Sequence, residues 1–159
     1  MPKPIIHPAS PADLPALVGL LHQLFSIEQD FQPDPEKQSC GLELLLTSDR
    51  AQVFVAKVDG RAVGMLTLQI LVSTAQGGQV GLVEDVVVDV AHRGRGIGDA
   101  LLEHLRQWAQ QRGLSRLQLL ADRDNLRALE FYRKQGWSTT GLVGLRLLLP
   151  AKDASSSCN

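Results

Sequence analysis

Residues 83–102 read VEDVVVDVAHRGRGIGDALL. Three β-branched residues in a row, Val86-Val87-Val88, fit a buried strand. The run gives way at once to Arg93-Gly94-Arg95-Gly96-Ile97-Gly98, and a helical pattern follows. A strand that feeds a glycine-rich turn and then a helix N-terminus is a physical device for holding phosphate. The first N–H groups of a helix have no partners within it and point outward. The helix dipole adds partial positive charge there, and Arg93 and Arg95 add more. Glycine lets a backbone approach a ligand because no Cβ intervenes. The stretch is therefore expected to hold a phosphate-bearing ligand.

The known glycine loops differ in detail. A dinucleotide fingerprint needs G-x-G-x-x-G. Counted from Gly94, its third position falls on Asp99; counted from Gly96, on Leu101. A P-loop needs Lys after its last glycine, and none follows here. What remains is Arg93-x-x-Gly96-x-Gly98 after a valine-rich strand. This resembles the pyrophosphate loop of the GNAT family, the Gcn5-related N-acetyltransferases, whose shared form is [Q/R]-x-x-G-x-[G/A]. The resemblance implies acetyl-CoA as acetyl donor and a primary amine as acceptor.

The chain has 159 residues, a length that fits one domain. We expect a single domain over residues 1–150 and a disordered polar tail over 151–159. The formal net charge of −1 argues against a nucleic-acid partner, which calls for a broadly basic face. No apolar run approaches the roughly 20 residues that cross a bilayer, and residues 1–10 lack the apolar centre of a signal peptide. Cys40 and Cys158 are expected to be unpaired thiols, which suits a cytoplasmic location. The four histidines show no metal-ligand spacing, so no metal is expected.

Taken in order, residues 3–7 form an extended run. Ser10-Pro11-Ala12-Asp13 carries the marks of a helix start. Leu14, Leu17, Val18, Leu21, Leu24 and Phe25 then recur at helical spacing. Asp34-Pro35-Glu36 opens a second helix. Residues 53–58 and 61–72 read as strands joined by Asp59-Gly60, a hairpin turn, and residues 79–89 form the next strand. Ile97, Leu101, Leu105 and Trp108 line one side of the following helix, and His104 on that side is expected to pack rather than react. A strand over 117–120, a helix over 125–135, a short strand over 137–139 and a last strand over 142–149 complete the order β-α-α-β-β-β-α-β-α-β-β. The fold class is thus α/β (α+β): a mixed, mostly antiparallel central sheet flanked by helices. The resemblance implies the same order.

Acetyl transfer to an amine requires a neutral amine. An alkylamine of pKa about 10.4 is neutral in only about one molecule per few thousand at pH 7, so a base is needed. The leaving thiolate is helped by a proton donor. The segment Asn125-x-x-Ala128-x-x-x-Tyr132-x-x-x-Gly136-Trp137 resembles the family pattern N-x-x-A-x-x-x-Y-x-x-x-G-[F/Y/W]. The resemblance implies that Tyr132, the one tyrosine of the chain, is the general acid. It also implies that Asn125, Ala128 and Tyr132 itself belong to the cofactor site. The base candidate is Glu84, with Asp85 second, since neighbours on a strand point to opposite faces. Val86, Val87 and Val88 would border the pantetheine arm. Arg93, Gly94, Arg95, Gly96, Ile97, Gly98 and Asp99 would cradle the pyrophosphate. The arginine side chains have two readings, solvation or contact with the 3′-phosphate. The family often carries Lys or Arg where Asp99 stands, so Asp99 is expected to point outward and serve the helix start.

Substrate specificity is expected from residues 25–38, made acidic by Glu28, Asp30 and Asp34, and from residues 69–78. The acceptor is expected to be a small molecule of the amino acid, polyamine or amino sugar class, and the resemblance implies a homodimer. The alternatives are a protein N-terminal or lysine acetyltransferase and a non-catalytic CoA-binding regulatory module.

Overall fold

In a computed structural model of the chain, residues 2–28, 32–151 and 158 are described. Asp30 and most of the expected polar tail lie outside them. The chain divides into two compact units, residues 1–119 and 120–159.

The first unit holds a five-stranded sheet in sequential order. Its strands are β1 (Ile5–Pro8), β2 (Ala51–Val58), β3 (Arg61–Ser73), β4 (Gly78–Val88) and β5 (Leu117–Leu119). The first four pair antiparallel and β5 joins β4 in parallel, giving the mixed sheet expected. Asp59 and Gly60 both take positive φ, 49° and 78°, at the β2–β3 turn, the twist that a tight hairpin needs.

Helices cover both faces. Helix α1 (Leu14–Ile27) and helix α2 (Pro35–Thr47) bury Leu17, Leu20, Leu21 and Leu42 with Val53, Val55, Met65 and Val87. Alternation along β2 turns Phe54 the other way. There its ring meets His104 at 4.8 Å and Trp108 at 5.7 Å, both edge-on, so His104 packs as expected. Those residues belong to α3 (Ile97–Gln111), which buries Ile97, Leu101, Leu102, Leu105 and Ala109. A Cβ on Gly64 of β3 would lie 3.1 Å from both Ile97 and Leu101. The missing side chain lets the first turns of α3 sit close on the sheet.

The start of α1 is tied down as its sequence suggests. Pro11–Asp13 forms a 3-10 turn, and the Ser10 N–H donates to Asp13 Oδ2 at 2.9 Å. Lys57 Nζ reaches Asp13 Oδ1 at 2.6 Å.

The second unit holds α4 (Leu126–Lys134). The strands expected at 137–139 and 142–149 do not form: among the described residues no strand follows α4. Leucine-rich runs favour burial without choosing a backbone, and a strand exists only where a ladder satisfies its amides. The cysteines also depart from expectation, since Cys40 and Cys158 are each disulfide-bonded and neither is a free thiol. No helix among the described residues is long and apolar enough to cross a membrane.

Candidate functional site

The site in the first unit begins at an irregularity in β4. Thr67 of β3 pairs with Glu84, yet Met65, two residues back, pairs with Val87. Two steps on β3 are therefore matched by three on β4, which marks a β-bulge. Such bulges bend a strand and re-aim a side chain. Asp85 takes the distortion, with φ +55°, a region that Asp tolerates better than most side chains. Its carboxylate oxygen Oδ2 accepts a hydrogen bond from the Thr67 hydroxyl at 3.0 Å. Burial pushes the Asp85 carboxyl up to about 6; the Thr67 hydrogen bond opposes the rise and the neighbouring Glu84 charge adds to it. Glu84 itself is exposed.

The bulge sits where the sheet opens. The parallel ladder between β4 and β5 runs from Gly81↔Leu117 to Val83↔Leu119 and stops, while β4 continues to Val88. From Glu84 to Val88 the β5 side of the strand has no strand beside it among the described residues. Such an edge offers backbone groups to an amide-rich ligand, as added strands do. Val87 is buried against α1 and α2. Val86 and Val88 are half-buried. The Val88 carbonyl already accepts from Arg93 Nε at 3.1 Å.

That bond shapes the loop. Arg93 folds back onto the strand end, so one nitrogen of its guanidinium is committed to holding the turn. Arg95 is exposed and has no hydrogen bond or ion pair among the described residues. Asp89 caps the 3-10 turn Val90–His92, accepting from the Ala91 N–H at 2.8 Å. Gly94 and Gly96 have φ +73° and +75°, which side chains rarely adopt without strain. Gly96 is the N-cap of α3 and offers no side-chain acceptor. Within the helix ladder, the first bond at this end runs from the Ala100 N–H to the Gly96 carbonyl at 3.0 Å. The N–H groups of the first turn therefore face the loop uncapped by Gly96, in the arrangement that binds phosphate. Asp99 stands in that first turn with Oδ2 3.9 Å from the position of a Gly96 Cβ.

One contributor was not legible in the sequence. The side-chain carbonyl of Gln23, on α1, accepts from the Val90 N–H at 3.1 Å and ties that helix to the loop. A lone Gln at one position of a helix carries no signal that it reaches a turn far along the chain.

In the second unit, Asn125 is the N-cap of α4, its Oδ1 accepting from the Ala128 N–H at 3.1 Å. The motif's Asn and Ala are thus partners in a helix cap. The Tyr132 ring packs against Phe131 at 5.3 Å and Trp137 at 5.9 Å. Gly136, φ +88°, ends the helix. Among the described residues no group of His, Cys, Asp and Glu is arranged to hold a metal.

The acetyltransferase (GNAT) family profile matches residues 21–137. An uncharacterized N-acetyltransferase of Methanocaldococcus jannaschii is 31% identical over 100 residues, 62% of this chain and 44% of that protein. The glucosamine 6-phosphate N-acetyltransferase of Trypanosoma brucei brucei is 37% identical over 87 residues, 54% of this chain and 57% of that protein. The chain spans about half the length of these curated relatives. Among solved structures, an aminoglycoside acetyltransferase from an uncultured soil metagenomic sample, in complex with sisomicin, superposes with a TM-score of 0.77. It is 26% identical, and the match covers 93% of this chain and 97% of that one. With the profile spanning most of the sequence and the bulged strand, glycine turn and helix start assembled in one unit, the chain belongs to the GNAT acetyltransferase family.

Proposed function

We propose that this protein moves an acetyl group from acetyl-CoA to the primary amine of a small molecule of the amino sugar, amino acid or polyamine class. The observation that carries the reading is the start of α3, where Gly96 supplies no side-chain cap, behind two positive-φ glycines and beside a bulged and splayed strand. The residues fit the coenzyme: glycines leave room for a pyrophosphate, and the edge of β4 suits a pantetheine arm. The names of two relatives, a glucosamine 6-phosphate acetyltransferase and an aminoglycoside acetyltransferase, support an amino sugar.

Acetyl-CoA supplies the activated acetyl group as a thioester. Asp85 takes one proton from the substrate ammonium and leaves the electron pair on nitrogen. That pair forms the C–N bond as the C–S bond breaks and its electrons depart on sulfur. Tyr132 gives sulfur its proton, and the second nitrogen proton restores the phenol. Asp85 then returns its proton to water. In this reading Asp85 takes precedence over Glu84, because a carboxyl lifted to about 6 is better matched to proton transfer near neutrality. A homodimer is part of the same proposal.

The test is CoA release from acetyl-CoA with polyamines, amino acids, amino sugars, aminoglycosides and peptides. Glucosamine 6-phosphate or an aminoglycoside should turn over fastest. Tyr132→Phe should lower kcat about 100-fold with the coenzyme Kd unchanged. An unaltered kcat removes the proposed acid, and no release above hydrolysis with any amine removes the proposal.

A further inference from the structure

We infer that Thr67 is a positioning residue that divides the work of the Asp85 carboxylate, anchoring Oδ2 across the bulge and leaving Oδ1 to accept the proton. The inference rests on the reading of Asp85 as base.

Thr67 is 2% exposed, one of two buried polar side chains among the described residues. A buried hydroxyl needs a partner, and on a strand a nearby backbone carbonyl is the usual one. This hydroxyl instead crosses to a side chain on the next strand. In a regular antiparallel pair, the side chain sharing a face with Thr67 would be that of its register partner, Glu84. The bulge changes the occupant. The extra residue and the left-handed turn at Asp85 bring the shorter carboxylate to the hydroxyl, while Glu84 stays exposed. The bulge and the hydrogen bond thus support each other: the bulge delivers the carboxylate, and Thr67 holds it in a conformation that costs an L-residue energy.

The two oxygens end up unlike. Oδ2 is engaged by Thr67 at 3.0 Å. Oδ1 receives no hydrogen bond from any described residue, and Asp85 as a whole is only half-buried. An uncommitted oxygen, on a carboxylate oriented through its other oxygen, is what a base needs. In the step, an N–H bond of the ammonium breaks and an O–H bond forms at Oδ1; charges of +1 and −1 become neutral.

The surroundings leave the Thr67 bond with real influence. Glu84, next along β4, is the ionisable neighbour that acts on Asp85. Helices α1 and α3 pack against β4 and carry His22, Asp99, Glu103, His104 and Arg106, and none of these acts on it. Removing the hydroxyl takes away the one interaction that favours the charged form.

The experiment titrates Asp85 directly by carboxyl carbon NMR of the full chain, with its signal assigned by its loss in Asp85→Asn. Acetyl-CoA turnover with glucosamine 6-phosphate and sisomicin is followed across the same pH range. Thr67→Val should move the titration up by about one pH unit and carry the acid limb of kcat/KM with it. Thr67→Ser keeps the hydroxyl and should titrate like the native protein. If Thr67→Val leaves the titration in place, or Thr67→Ser moves it equally, the inference fails while the base reading stands. If Asp85→Asn turns over at the native rate, the base reading itself fails.

Discussion

Lys57 Nζ lies 2.6 Å from Asp13 Oδ1 and joins β2 to the turn that opens α1. The Asp13 side chain is 7% exposed and that of Lys57 is 26% exposed, so the pair is mostly withdrawn from water. Burial alone would raise the Asp13 carboxyl; the Lys57 ammonium and the Ser10 donors outweigh it and hold the carboxyl below its ordinary value.

Removing one partner of such a pair strands the other. Lys57→Met is expected to destabilise the protein by about 2 kcal/mol at pH 7. The sign of the pH dependence follows from the lowered Asp13 pKa. The stabilisation is present above the unfolded value of 3.8 and is lost as pH falls through the folded one. Urea unfolding at pH 7 and below pH 3 should show the gap between variant and native protein closing at the acid end. An equal gap at both would mean that Lys57 contributes through packing.

Asp85 has the opposite sign. Its folded pKa, about 6, lies above the ordinary 3.8, so the folded protein holds a proton that the unfolded chain has released. Stability from this group falls as pH rises from about 4 to 6 and is level beyond. Asp85→Asn should therefore raise Tm at pH 8, by the equivalent of at most about 2–3 kcal/mol, and change it little at pH 4. It should also lower kcat/KM about 100-fold or more. Melting curves at the two pH values check the first statement. A variant less stable at pH 8 would show that the native carboxylate is stabilising there.

Gly96 takes φ +75° and borders open space, with Asp99 Oδ2 its nearest neighbour at 3.9 Å. Gly96→Ala has room for its methyl but not the preferred backbone, a strain of roughly 1–2 kcal/mol. Tm should drop by roughly 2–8 °C. Calorimetry with acetyl-CoA should show Kd raised about tenfold or more, since the methyl enters the space proposed for pyrophosphate. A native Kd would move the phosphate seat elsewhere.

Much of the first unit can be read along the chain. The alternation of residues 53–58 separates Val53 and Val55 from Phe54, and the structure buries them against different helices. Ile97, Leu101 and Leu105 mark the buried side of α3. Ser10 and Asp13 form the expected cap, and Gly94 and Gly96 take the conformations their residue type suggests. Less could be read where partners lie far apart. Glu84 ranks above Asp85 in the sequence because nothing there reveals the bulge: an extra residue in a ladder exists only relative to the opposing strand.

By itself the sequence determined the local matters: which runs are extended or helical, where turns fall, and which loop can present bare amides to an anion. These follow from short-range sterics and from periodicity, which neighbours along the chain settle among themselves. Tertiary structure alone decided which carboxylate of the Glu84–Asp85 pair meets Thr67, that Arg93 closes on Val88, and that Gln23 reaches Val90. Each of those depends on register between elements, and register is set by the packing of whole faces rather than by any one residue's preference.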